Sequence, residues 1–233
     1  MDRFVNALPL GLLAACCSLP ALAQIDCSAG AAGVNPVPVQ IGAGLANSRM
    51  NPQISQRHIF CGEVNAAGVA TGFHSRPNSH DPLLGAAPGA PFAARITAGV
   101  QYIVQPGINH PGPYRYLGGG IQVANAAGVM VPKGGAGSST FFPDSCNQMQ
   151  VIASIRYAYT HPFKDVGPFV PAPPPGGPAL PPGANYFTGP SAPSVGAVGY
   201  CTGEAGNPFT VGGYIRQVAG LWTLTTVYPI ASF

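Results

Sequence analysis

The stretch Arg57-His58-Ile59-Phe60-Cys61-Gly62-Glu63-Val64-Asn65-Ala66-Ala67-Gly68-Val69-Ala70-Thr71-Gly72-Phe73-His74 carries the fold and the chemistry together. Apolar, β-prone runs flank an Asn/Gly turn, which is the pattern of a β-hairpin. Its two arms fold back on each other, so His58 and His74 meet at the open end. A histidine pair held side by side can take a proton from one oxygen and give one to another near neutral pH.

The register decides whether the two rings share a face. An even loop over 65–68 sets His58 beside Ser75 and sends the imidazoles to opposite sides. A one-residue bulge restores them to one side, and Gly68 is placed to supply it in the left-handed region. The expectation is therefore a bulged hairpin with both histidines in one cleft.

Working outward, the 233 residues suffice for one domain with a real core. Gly 32 and Pro 27 with only 7% charged residues disfavour long helices. A net charge of +3 permits an anionic partner, but no basic tract marks purely electrostatic nucleic-acid binding.

Residues 1–23 read as a secretory signal. Arg3 is followed by an apolar run to Leu19, and Ala21-Leu22-Ala23 is a cleavage site. The run is too short and too broken by Pro9 to span a membrane. The alternative is a lipobox at Leu13-Ala14-Ala15-Cys16, with Cys16 as a lipid anchor. Cleavage after Ala23 leaves Cys27, Cys61, Cys146 and Cys201, which suggests two disulfides with three possible connectivities. A secreted or periplasmic protein is expected.

Residues 24–50 read as an N-terminal arm that Cys27 can tie to the body, and 77–93 as a loop. Residues 94–104 alternate as a strand does. A second hairpin over 121–133 reuses the turn, since Asn125-Ala126-Ala127-Gly128-Val129 repeats Asn65-Ala66-Ala67-Gly68-Val69. One clear helix is expected over about 144–160, capped by Asp144 or Ser145 and stopped by Pro162. Met149, Ile152, Ile155, Arg156 and Tyr159 recur along it at helical spacing. Residues 163–183 are Pro-rich and read as an exposed insertion. The C-terminus returns to β, over 209–219 and 221–229, with Thr226 and Tyr228 on one face. The fold class is α+β, mainly antiparallel hairpins and sheets.

Taken singly, a histidine in a strand is an ordinary polar residue at a sheet end. Two at the mouth of one hairpin are a candidate acid–base pair. His80, His110 and His161 sit beside turn residues and read as solvated loop groups. Lys133, one of two lysines with Lys164, stands in apolar, Gly-rich surroundings where an anion can approach. Glu63 can orient an imidazole. The carboxylates after residue 23 are scattered at 26, 63, 81, 144, 165 and 204, and there is no zinc spacing or phosphate loop, so no cofactor or metal is expected.

Four blocks in order resemble the bacterial branch of the EndoU endoribonucleases, relatives of the uridylate-specific nucleases of animals and nidoviruses. Arg57-His58-Ile59-Phe60-Cys61-Gly62-Glu63 is similar to the family's His-x-x-x-Gly-Glu pattern. Gly72-Phe73-His74-Ser75-Arg76-Pro77 is similar to its Gly-Phe-His block. Lys133 with Ser139-Thr140-Phe141-Phe142-Pro143-Asp144 and the following helix is the third. Thr226-Val227-Tyr228-Pro229-Ile230, like the family's Thr-Ala-Tyr-Pro, is the last. The resemblance covers about residues 50–233, with 51–233 as the nuclease domain. Cys146 stands where relatives are expected to carry an aromatic.

The resemblance implies His74 as general base on the ribose 2′-hydroxyl and His58 as general acid for the 5′-oxygen. It implies Lys133 as the cation on the phosphorane oxygens, and Thr226 and Tyr228 as substrate-binding residues that read uracil and pack on sugar or base. Glu63 supports them. The implied products are a 2′,3′-cyclic phosphate and a 5′-hydroxyl. The implied partner is an RNA substrate cut by a monomeric enzyme. A toxin role with a cognate immunity protein is the further suggestion of the family. The rival class is a non-catalytic exported RNA-binding or envelope module that keeps the fold.

Overall fold

A computed structural model describes residues 24–42, 44, 47–97, 114–116, 120–134, 139–163 and 185–230. The signal segment, the strand expected beyond residue 97 and nearly all of the Pro-rich 163–183 segment lie outside them. In chain order the elements are β1 (Val37–Pro38), β2 (Gln53–Ile54), α1 (Gln56–Phe60), β3 (Glu63–Val64), β4 (Ala70–Thr71), β5 (Ala94–Ile96), β6 (Tyr114–Tyr116), β7 (Ile121–Ala124), β8 (Met130–Pro132), β9 (Ser139–Phe141), α2 (Gln148–Thr160), β10 (Asn185–Pro190), β11 (Thr210–Val218) and β12 (Leu221–Pro229). The class is α+β.

The first sheet has the order β1-β2-β12-β11-β10. Its centre is the long β11–β12 hairpin, closed by Ala219 and Gly220, both at positive φ. That geometry suits a two-residue turn between twisted strands. One face packs on α2, whose Val151, Ile152, Ile155, Ala158 and Tyr159 are buried. The cluster continues through Phe142, Phe187, Val211, Ile215, Leu224 and Val227. The N-terminal segment enters the same cluster with Ile25, Cys27, Val34 and Val39.

Helix α2 starts later than the sequence suggests. Asn147 caps it in a reciprocal box with Gln150. Asp144 is instead paired with Arg76, and Cys146 is bonded to Cys201. Met149 points to solvent. The other disulfide joins Cys27 to Cys61, at the end of α1.

The second sheet, β5-β7-β8, has its own small core of Ala70, Phe73, Ala94, Ile121, Val123 and Phe141. The two repeated turns are alike in structure. Asn65 and Asn125 each accept the amides two and four residues on, and Gly68 and Gly128 both sit at φ +77.

The expected long hairpin over 57–74 is not formed. Its ladder holds only Glu63↔Thr71 and Val64↔Ala70, so neither histidine lies in it and no bulge sets their register. The first arm is broken into α1 and β3. Successive residues His58, Ile59 and Phe60 are all buried, which a two-faced strand over a single core cannot achieve. Gly62, at φ +67, follows the C-cap Cys61 and ends the helix.

Candidate active site

The site forms where the two cores meet. α1 brings His58, the segment after β4 brings His74, the end of β8 brings Lys133, and β12 brings Thr226 and Tyr228. The rings of His58 and His74 lie 5.9 Å apart, tilted by 34°. The two rings are side by side, but not by way of a bulged hairpin.

Backbone bonds set this spacing. A helix leaves its last carbonyls without intrahelical partners. Here the amide of Phe73 donates to the His58 carbonyl at 2.8 Å, and that of His74 donates to the Ile59 carbonyl at 2.7 Å. The segment carrying one histidine is thus docked on the helix carrying the other. Gly72 and Phe73 both adopt positive φ to make the approach. Phe73 then packs edge-on against Phe141. Beyond His74, Arg76 pairs with Asp144 and, at 3.4 Å, with Asp81, while Phe142 donates to the His74 carbonyl.

The two imidazoles have different partners. His74 Nδ1 lies 3.1 Å from the Thr140 carbonyl, which can only accept. Nδ1 therefore carries the proton, and Nε2 of the neutral ring is left as an acceptor. Burial, reinforced by the Lys133 and His58 charges, holds the His74 pKa well below the usual histidine value, and the Thr140 bond opposes this. His58 Nδ1 instead meets a Glu63 carboxylate oxygen at 2.9 Å, and its Nε2 meets Thr226 Oγ1 at 2.9 Å. The bond to His58 depresses the Glu63 carboxyl in turn.

Lys133 donates to the Gly72 carbonyl and, at 2.8 Å, to Ser139 Oγ. Burial lowers its pKa to about 8. The Tyr228 ring lies 5.6 Å from His74, and its hydroxyl donates to that of Tyr214 at 3.4 Å. Burial pushes the Tyr228 phenol well above its ordinary value, so it stays protonated.

A bulge in the central hairpin aims the β12 pair. Tyr214 pairs with Thr226 but Ile215 pairs with Leu224, so Thr225 is the extra residue. The bulge shifts the alternation by one. Leu224 and Val227 both reach the main core, while Thr226 and Tyr228 turn to the histidines.

All six residues expected from the sequence, His58, Glu63, His74, Lys133, Thr226 and Tyr228, thus converge on one place. Sequence reading missed Gly72 as a close-approach glycine, Ser139 as a partner of Lys133 and Tyr214 as a partner of Tyr228. Gly72 had a usable signal, standing directly before an aromatic and a histidine. Ser139 and Tyr214 had none, since their contacts are made across strands. Among the described residues no three His, Cys, Asp or Glu side chains converge as a metal ligand set would.

The profile of the Bacterial EndoU nuclease family matches residues 52–231, which is most of the chain. This protein belongs to the bacterial EndoU nuclease family. The matched span contains all six converging residues and both histidine-bearing segments. Searches among curated proteins and among solved structures gave no match. As a family member the protein is a nuclease, and among its described residues no helix is long and apolar enough to cross a membrane.

Proposed function

We propose that this nuclease is an RNA endonuclease that cuts 3′ of uridines by transphosphorylation, leaving a 2′,3′-cyclic phosphate and a 5′-hydroxyl. The observation that carries the reading is the unlike partnering of two imidazoles 5.9 Å apart. His74, neutral with Nε2 as acceptor, takes the proton of the ribose 2′-hydroxyl. The freed 2′-oxygen attacks the adjacent phosphorus. His58, whose Nδ1 meets the Glu63 carboxylate, gives its Nε2 proton to the departing 5′-oxygen. Lys133 neutralises the charge that builds on the non-bridging oxygens. A backbone carbonyl on one Nδ1 and a carboxylate on the other give the two rings unlike partners, which suits unlike roles.

Thr226 and Tyr228 supply the base preference in this reading. The Thr226 hydroxyl, already on His58, exchanges that bond for one to the uracil edge, and the Tyr228 ring covers the sugar. This couples base recognition to release of the acid. The two disulfides support export to an oxidising compartment, secreted or periplasmic.

The test uses purified protein and oligoribonucleotides holding a single uridine, cytidine or purine site, with chelator present. Cleavage at uridine with a cyclic-phosphate end supports the reading. Tight binding without cleavage favours the non-catalytic module, and complete loss of activity in chelator favours a metal-dependent reaction.

A further inference from the structure

A lysine ammonium carries three N–H donors on a flexible stem, so an unheld one points in many directions. Lys133 is held. Two of its donors are engaged by the Gly72 carbonyl and by Ser139 Oγ. Ser139 is itself buried at 6% exposure, so its hydroxyl is fixed in place. Two bonds to a tetrahedral nitrogen leave one N–H whose direction is set. The holding groups are neighbours of the rest of the site. Gly72 stands two residues before His74, and Ser139 stands beside Thr140, whose carbonyl fixes the His74 tautomer. Adjacent residues of β9 therefore anchor the cation and the base.

We propose that Ser139 is a positioning residue whose hydroxyl holds Lys133 with its remaining N–H aimed at the phosphate being cut. The inference rests on the RNA-cleaving reading of the site. Burial is the cause of the lowered Lys133 pKa. A hydrogen bond to an ammonium in general favours the charged form, so removal of the Ser139 hydroxyl is expected to lower it further. Among the described residues the titratable group facing Lys133 is His74, whose imidazole feels the ammonium charge. Among the described residues no carboxylate bonds to Lys133, so the hydroxyl is not duplicated by an ion pair.

The chain's two lysines, Lys133 and Lys164, make the test direct. A sample labelled at the lysine ε-carbon gives two NMR signals, and Lys164→Arg assigns them. Ser139→Ala is expected to move the Lys133 titration down by about one pH unit. It is expected to lower kcat on a uridine oligonucleotide about tenfold with little change in KM, as loss of orientation does. Ser139→Thr keeps the hydroxyl and should restore both. A Ser139→Ala protein with the wild-type Lys133 titration and wild-type kcat overturns the proposal. Should Ser139→Ala not fold, Ser139→Cys, close in size and a weak acceptor, gives the same readings. Wild-type protein that cuts no RNA overturns the functional reading, while the Lys133 titration still reports the Ser139 contact.

Discussion

Gly72 lies directly against the carbonyl oxygen of His58, and a β-carbon there would collide with it. The same residue adopts φ +69, a region that favours glycine. The close approach lets the amides of Phe73 and His74 dock on the end of α1, so one missing side chain sets the distance between the two histidines.

Gly72→Ala is therefore expected to be far more damaging than an ordinary surface change. Strain and the displaced loop should cost about 2–4 kcal/mol of stability, measured by denaturant unfolding. Activity on a uridine oligonucleotide, measured where the variant is still folded, should fall about a hundredfold because the base is misplaced. A variant with wild-type stability and activity would show that the docking does not set the site.

His58→Ala and His74→Ala are each expected to lower kcat by about 10²–10⁴-fold while unfolding at temperatures close to wild type. The double variant should be little worse than either single one, since acid and base act in one step. Glu63→Gln keeps a hydrogen-bonding partner on His58 Nδ1 but removes the carboxylate charge beside the ring. A drop in kcat with KM nearly unchanged is expected. Retained activity in either purified histidine variant would count heavily against the mechanism.

Two displaced groups contribute to the pH profile, beside the requirement that His58 carry the proton it donates. His74 acts as a base only when neutral, and its pKa is depressed, so activity should persist below neutrality and disappear as pH falls through that lowered value. Lys133 acts only when charged, and its pKa is lowered to about 8, so activity should fall as pH rises through that point. The profile of kcat/KM should be a bell whose acid limb lies below about 6.5, the ordinary histidine value. An acid limb at or above that value would contradict the assignment of His74 as base.

The two disulfides should separate in their effects. Cys27–Cys61 fastens the end of α1 to the N-terminal segment, where Arg57 also donates to the carbonyls of Cys27 and Ser28. Cys146–Cys201 ties the approach to α2 to the loop before β11. Replacing either pair with alanines should cost about 2–4 kcal/mol in thermal or denaturant unfolding. At a temperature where both variants stay folded, loss of Cys27–Cys61 should reduce cleavage more, because α1 carries His58. Equal activity in the two variants would remove α1 anchoring from the account.

Much of the site was legible in the sequence because its residues are chemically scarce. His58 and His74 and a lysine in a lysine-poor chain stand out by type and spacing, whereas Thr226 and Tyr228 read as an ordinary strand face and were singled out only by the family resemblance. The β11–β12 hairpin and the Asn-Ala-Ala-Gly-Val turns were legible as well, since their geometry is set by residues adjacent in sequence. The α2 cap lies two or three residues beyond the expected Asp144 or Ser145, since Asn147 forms the capping box and Asp144, a good cap in isolation, is taken by Arg76.

What the sequence by itself determined is the set of candidate groups, the α+β class and the local turns. What only the tertiary structure decided is how those groups meet. The run Arg57–Phe60 satisfies a strand pattern and a helix pattern alike, and burial of three successive side chains chose the helix. The facing of the histidines then came from amides of Phe73 and His74 capping that helix, not from a strand register. The aim of Thr226 came from a bulge that is visible only once β11 is paired with β12. Such choices are made by contacts between segments distant in the chain, and no local pattern encodes them.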